Sequence, residues 1–312
     1  MIPFAFVFPG QGSQSVGMLD AWGDHPAVLA TLDEASQALG LDMAQLIAAG
    51  PKEQLDLTTN TQPVMLTAAI ASYRAWRHEG GEQPAAVAGH SLGEYTALVA
   101  AGVLSLSDAL PLVRFRAQAM QEAVPVGVGA MAAILGLDSA AVREGCAKAA
   151  LESGEVVEAV NFNDPKQTVI AGTKAGVDKG CEVLKAMGAK RAMLLAVSAP
   201  FHSSLMRPAA EALRGRLAGV NLQVPQIPVI NNIDVVAPIE PEQIRDALYR
   251  QAFGPVRWVE LMQAMRARGL MHVVECGPGK VLAGLVKRVD PEMTGASLLD
   301  PKSLQEVKGL LA

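Results

Sequence analysis

The sequence predicts an α/β protein: a large domain on a mostly parallel sheet, interrupted once by a small α+β subdomain. Three observations carry this. Over the first 126 residues, short apolar runs of strand length alternate with helical patterns, the rhythm of a parallel sheet covered by helices on both faces. Between residues 127 and 197 the rhythm changes to strand, helix, strand, strand, helix, strand, the ferredoxin-like split motif. After residue 198 the first rhythm resumes. The expected organisation is a large domain of residues 1–126 and 198–312, with the ferredoxin-like subdomain at 127–197.

Residues 4–8 (FAFVF) are an apolar run closed by Pro9-Gly10, hence a buried strand and a loop. Helical patterns follow at 26–39, 42–49 and 63–79, the last opening on a proline. The run 85–90 (AAVAGH) is a second buried strand, and the helix after it stops at Gly102. A longer helix covers 107–123, with Ser107 as N-cap and Asp108 in its first turn. In the subdomain the strands are 130–135, 155–161, 167–171 and 191–196, and the helices 138–150 and 174–187. Gly127 and Gly129 mark where it begins; Ser198 and Pro200 mark where it ends. The large domain then continues with a strand at 228–233, helices at 241–252 and 256–268, and a buried strand at 271–279 ended by Gly-Pro-Gly. A helix at 280–289 carries Lys287 and Arg288 at its C-terminal end, where cations suit the dipole.

Composition removes several function classes. Of 312 residues, 50 % are hydrophobic and 18 % charged, and the net charge is −5. Disorder is excluded by that apolar content. A nucleic-acid binder or a membrane-surface protein would more often be basic. No apolar stretch reaches the ~18 residues of a membrane span. The opening MIPFAFVFPGQG has no basic segment before its apolar one and reads as a strand, not a targeting signal. Cys146, Cys181 and Cys276 form neither a CxxC pair nor a zinc spacing, so reduced thiols, no metal and a cytoplasmic location are expected.

Chemistry enters at Gly89-His90-Ser91-Leu92-Gly93, a GxSxG between a predicted strand and a predicted helix. Such a turn crowds the residues two before and two after the serine, so both must lack side chains. It pushes the Ser91 hydroxyl into the open and leaves the Leu92 N–H at a helix N-terminus, where it can meet an oxyanion. A serine nucleophile needs a base, and histidine suits neutral pH. Of five histidines, His25 and His78 lie in polar stretches, His272 opens an apolar strand, and His90 points away from Ser91 in an extended strand. His202, in the loop SAPFHSSLM, is left as the candidate. Between Ser91 and His202 only Asp164 is a loop carboxylate suited to orient a base, so a backbone carbonyl is the alternative.

Taken together, these segments resemble the malonyl-CoA:acyl-carrier-protein transacylase family. The matching stretches run in family order: FPGQGSQ (8–14), TQPVMLTAAIA (61–71), GHSLGEYTALVAAG (89–102), RAQAMQEAVP (116–125), GAMAAILG (129–136), NFNDPKQTVIAG (161–172), SAPFHSSLM (198–206), VINNID (229–234) and ECGPGKVLAGLVKR (275–288). The resemblance implies Ser91 as nucleophile and His202 as base, held by a backbone carbonyl near Gln251. It implies an oxyanion hole from the N–H groups of Gln11 and Leu92, and Arg116 as the malonate-binding arginine. Arg114, two residues earlier on the helix, faces elsewhere. Asn161, Asn163 and Phe201 are implied near the pocket. The implied reaction is ping-pong malonyl transfer from malonyl-CoA to the phosphopantetheine thiol of acyl carrier protein, for fatty-acid elongation, with no cofactor and by a monomer. Two rivals stand beside it, a water-using serine hydrolase and a non-catalytic carrier-protein binder. An acidic carrier would need a basic patch on this acidic chain; Lys190-Arg191 and Lys287-Arg288 are the candidates.

Overall fold

The structure, a computed structural model, describes residues 2–197 and 199–312. Ser198, expected at the end of the inserted subdomain, lies outside the described residues. In chain order the first part comprises β1 (Phe4–Phe8), α1 (Pro26–Leu39), α2 (Met43–Ala49), α3 (Lys52–Leu55), α4 (Thr58–His78), β2 (Ala86–Gly89), α5 (Leu92–Ala100) and α6 (Leu106–Glu122). Next come β3 (Gly129–Leu135), α7 (Ser139–Ser153), β4 (Val157–Asp164), β5 (Gln167–Thr173), α8 (Lys174–Ala186) and β6 (Arg191–Leu194). The chain closes with α9 (Arg207–Ala218), β7 (Val229–Ile230), α10 (Pro241–Gln251), α11 (Trp258–Ala267), β8 (His272–Cys276), α12 (Val281–Val289), β9 (Thr294–Leu298) and α13 (Pro301–Leu311).

The large sheet is parallel throughout, in the order β7-β2-β1-β8-β9. Alternation along β1 divides its side chains between two cores. Phe4, Phe6 and Phe8 meet Tyr73 and Trp76 of α4 edge-on, while Ala5 and Val7 pack with Trp258 and Met262 of α11. A strand covered on both faces has no polar side, which is why FAFVF is apolar at every position. The smaller sheet has the order β4-β5-β3-β6, is antiparallel, and forms its own core with α7 and α8. The two sheets are stitched at β4. Phe162 N–H donates to Val256 O (3.0 Å) and Val256 N–H to Val160 O (2.8 Å), so the segment before α11 covers that edge. Asn161 and Asn163 are thereby brought beside the end of β2.

Several elements depart from expectation. Helix α4 begins at Thr58, not 63; Pro63 lies inside it, in the second turn, where proline lacks the N–H that would bond the Thr59 carbonyl. The N-cap of α6 is Ser105, not Ser107: its Oγ accepts from Asp108 N–H at 3.0 Å. The strand expected over 228–233 is only Val229–Ile230. Asn231 then turns the chain, its Oδ1 accepting from the N–H groups of Asp234 and Val235. Neither β9 nor α13 was expected. Cys146 and Cys276 are buried, Cys181 is half-buried, and all three are free thiols. Among the described residues, no helix is long and apolar enough to cross a membrane.

Candidate active site

A cleft of about 510 Å³ opens between the two sheets, lined by the loop Gly10–Gly12, the end of β2, α6 and the chain following β6. Ser91 stands at its floor. The serine has φ 53° and ψ −104°, a strained region for a residue with a side chain. The flanking glycines make this turn possible. A Cβ on Gly89 would lie 1.9 Å from the Gly93 carbonyl, and one on Gly93 would lie 2.1 Å from Phe8 O. The elbow is thus pressed against itself and against β1, and any side chain at either glycine would force it open.

Ser91 Oγ lies 2.7 Å from His202 Nε2, although 111 residues separate them. His202 is 4 % exposed and has φ 66°. Its Nδ1 faces two carbonyl oxygens, Gln251 O at 2.9 Å and Gly254 O at 3.2 Å. Carbonyls only accept, so Nδ1 carries the proton and Nε2 accepts from the serine hydroxyl. Burial, and then the nearby Arg116 guanidinium, pull the imidazole down to about 3 against the opposing pull of the two carbonyls. The ring is therefore neutral at physiological pH. Asp164 has no part in this arrangement. It is the last residue of β4 rather than a loop residue, and it pairs with Arg288 at 3.3 Å.

Arg116 reaches the same hydroxyl from the other side. It is 2 % exposed on α6; one Nη donates to Gln62 Oε1 (2.9 Å), the other to Ser91 Oγ (3.0 Å) and Gln251 Oε1 (3.1 Å). The guanidinium carbon lies 5.4 Å from the centre of the Tyr95 ring. These partners are neutral, and its buried Nε–H has no partner among the described residues. Arg114, as expected, is exposed on another face of the helix.

The remaining candidates separate into two groups. Gln11, Asn161 and Phe201 line the cleft, the last 7 % exposed, and Asn161 Oδ1 is buried with no partner among the described residues. The loop bearing Gln11 runs against the elbow, since a Cβ on Gly10 would lie 2.8 Å from His90 O. Leu92 is the first residue of α5, and neither its N–H nor that of Gln11 has a hydrogen-bond acceptor among the described residues. Asn163 and the Gln251 side chain, by contrast, do not line the cleft. Asn163 is hydrogen-bonded to His90 Nε2 at 2.9 Å, and Gln251 supports Arg116 from behind. His90 itself does line the cleft and packs on Trp258, with burial lowering its pKa.

Sequence reasoning missed Gln62, Glu94 and Asn232. Asn232 Nδ2 donates to Gly89 O at 2.7 Å, while its Oδ1 accepts from Ser91 N–H at 2.8 Å, so one amide spans the elbow. Glu94, in the first turn of α5, is pushed up to about 7 by burial, against hydrogen bonds from Asn232 and Gln251 and the charge of Arg116. All three lie in segments that carry the family resemblance, but no spacing rule marks them.

Comparison with known proteins agrees with this geometry. The acyl transferase domain family matches residues 5–298. The malonyl CoA-acyl carrier protein transacylase of Escherichia coli K12 is 51 % identical over 305 residues, 97 % of this chain and 98 % of that one. The crystal structure of an acyl-carrier-protein S-malonyltransferase from Burkholderia pseudomallei superposes with a TM-score of 0.96 at 66 % identity, covering 98 % of this chain and 99 % of that one. A malonyl-transacylase solved in complex with its type II polyketide acyl-carrier protein superposes at 0.95 and 47 % identity, covering 97 % and 98 %. The serine elbow, its histidine and the full-length match to these enzymes place this chain in the acyl transferase family.

Proposed function

We propose that this enzyme transfers a malonyl group from malonyl-CoA to the phosphopantetheine thiol of acyl carrier protein, supplying fatty-acid chain elongation. The observation that carries the reading is Arg116: a buried guanidinium with no acidic partner in contact among the described residues, 3.0 Å from the nucleophile Ser91 Oγ. It suits an acyl group that ends in a carboxylate. His202 Nε2 takes the Ser91 proton as Oγ attacks the thioester carbonyl. The carbonyl oxygen, now negative, is held by the N–H groups of Gln11 and Leu92. The tetrahedral adduct collapses, His202 returns the proton to the departing CoA sulfur, and malonyl-Ser91 remains. The carrier thiol then gives its proton to His202 and attacks the ester; the bond from Ser91 Oγ to the acyl carbon breaks, His202 returns the proton to Oγ, and the malonyl group leaves as the carrier thioester. Only side chains and backbone take part, with no bound cofactor. The reading takes the enzyme to act as a monomer in the cytoplasm.

Lys190 and Arg191 are exposed at the start of β6, and the chain beyond the other end of that strand, Leu195–Val197, lines the cleft. They suit an acidic carrier approaching the opening. Arg288 is engaged with Asp164 and Gln167, which makes the Lys287-Arg288 pair the weaker candidate. The test is to incubate the enzyme with malonyl-CoA and holo carrier protein, following malonyl-carrier and free malonate together. Malonyl-carrier is expected as the main product. Malonate released at a similar rate with or without carrier would identify a hydrolase instead.

The lowered pKa of His202 gives a pH prediction. The base works unprotonated, and protonation removes it only as pH falls through its own pKa. An ordinary histidine titrates near 6.5 and would cost acylation roughly thirtyfold by pH 5. With His202 near 3, kcat/KM for malonyl-CoA is expected to change less than about threefold between pH 7 and 5. Stopped-flow acylation across that range measures it, and a limb centred near 6.5 would contradict the assignment.

A further inference from the structure

The elbow and the arginine are joined by groups that the reaction scheme does not use. Ser91 N–H donates to Asn232 Oδ1, and Ser91 O accepts from Gln251 Nε2 at 3.0 Å. Both partners converge on a single oxygen. Glu94 Oε2 accepts from the Asn232 backbone N–H at 2.8 Å and from Gln251 Nε2 at 3.1 Å. Glu94 is 2 % exposed. The opposite end of the Gln251 amide accepts from Arg116.

Chemistry leaves one orientation for that amide. One end faces two acceptors, Ser91 O and Glu94 Oε2; the other faces a guanidinium, which only donates. Turned over, the amide would set hydrogens against Arg116 and oxygen against oxygens. Because both donors occupy Oε2, a proton bound by Glu94 would sit on Oε1, so Oε2 accepts in either protonation state.

We propose that Glu94 is a positioning residue for acyl-group selection. Its Oε2 holds the Gln251 amide with the oxygen toward Arg116, and this aims the guanidinium at the acyl group. The proposal rests on the reading of Arg116 as the carboxylate receptor. It requires an acceptor oxygen at the right reach, and not the negative charge.

Two conservative variants separate reach from charge. Glu94→Gln retains an acceptor at the same reach and loses the charge. Glu94→Asp retains the charge and withdraws the oxygens by about 1.5 Å, one bond length, out of reach of Gln251. Acylation of Ser91 is measured with malonyl-CoA and with acetyl-CoA, beside thermal unfolding. Glu94→Gln is expected to keep the malonyl/acetyl ratio within about threefold. Glu94→Asp is expected to lower it about tenfold or more, through the malonyl reaction, the scale of a lost hydrogen bond in a charged network. A merely structural role would slow both acyl groups alike. An unchanged ratio in Glu94→Asp, or an equal fall in Glu94→Gln, overturns the proposal. Arg116→Ala is run alongside. A ratio that survives it overturns the arginine reading and this proposal together. A ratio that falls there but survives Glu94→Asp overturns this proposal alone.

Discussion

Arg116→Ala is expected to lower malonyl transfer by two to three powers of ten while raising acetyl transfer relative to it. Malonyl differs from acetyl by one carboxylate, and bringing that anion into a closed pocket is costly unless a cation meets it with matched hydrogen bonds. The guanidinium supplies parallel N–H donors and keeps its charge. Truncating one partner of such a pair costs about 2–5 kcal/mol, which is roughly 30-fold to several thousandfold in rate. The preference also runs the other way. With acetyl bound, Arg116 would keep, among the described residues, only its neutral hydrogen-bond partners Gln62, Gln251 and Ser91, so the site gains nothing from the smaller group. Arg116→Lys should rescue only in part, because an ammonium cannot make the fork. Arg114→Ala is the control: it lies exposed on the same helix and should leave the malonyl/acetyl ratio within about twofold. Competition between the two CoA esters, read as product ratio, checks all three variants.

His202→Ala is expected to slow both half-reactions by about 10²–10⁴-fold, the usual contribution of a positioned general base. Acylation and deacylation should fall together, since the same nitrogen serves both. Residual turnover should persist from the oxyanion hole and from Arg116, whose donation to Ser91 Oγ also favours the alkoxide. That no acid stands behind the histidine among the described residues does not weaken this expectation. The carbonyls of Gln251 and Gly254 fix the tautomer as a carboxylate would, without adding a buried charge beside Arg116. Single-turnover measurements with malonyl-CoA, then with carrier protein, separate the two steps. A rate within about threefold of the parent in either step would mean that the base lies elsewhere.

How far the sequence could be read depended on whether a feature was local. The strands β1 and β2 were legible because a strand covered on both faces must be apolar along its length. The elbow was legible because its two glycines are forced by contacts within a few residues and with one neighbouring strand. The ferredoxin-like part followed from six elements in a recognisable order. By contrast, β9 (TGASL) is a half-buried edge strand of small residues, with neither an apolar run nor a clean alternation to announce it. Helix α13 did carry a local signal, the Asp300–Ser303 capping box with Pro301, but it lies beyond that unannounced strand. The site divides in the same way. Ser91 carries its own motif and His202 was left by elimination among five histidines, whereas Arg116 drew its assignment from the family resemblance. Asn232 reaches the elbow across 141 residues, and Glu94, although only three residues from Ser91, meets Asn232 and Gln251 only through the fold. Asn163 and Gln251 were placed near the pocket and stand one layer behind it, because their side chains are taken up by His90 and Arg116.

The central claim is a malonyl ester on Ser91, and intact-protein mass spectrometry tests it most directly. The enzyme is mixed with malonyl-CoA, quenched and weighed, then treated with holo carrier protein and weighed again. The account predicts one malonyl adduct per chain, mapped to the peptide containing Ser91, persistent in buffer, and lost when the carrier thiol is added, with the same mass appearing on the carrier. Ser91→Ala should show no adduct. An adduct of undiminished yield in that variant, or one that the carrier cannot discharge, would contradict the account.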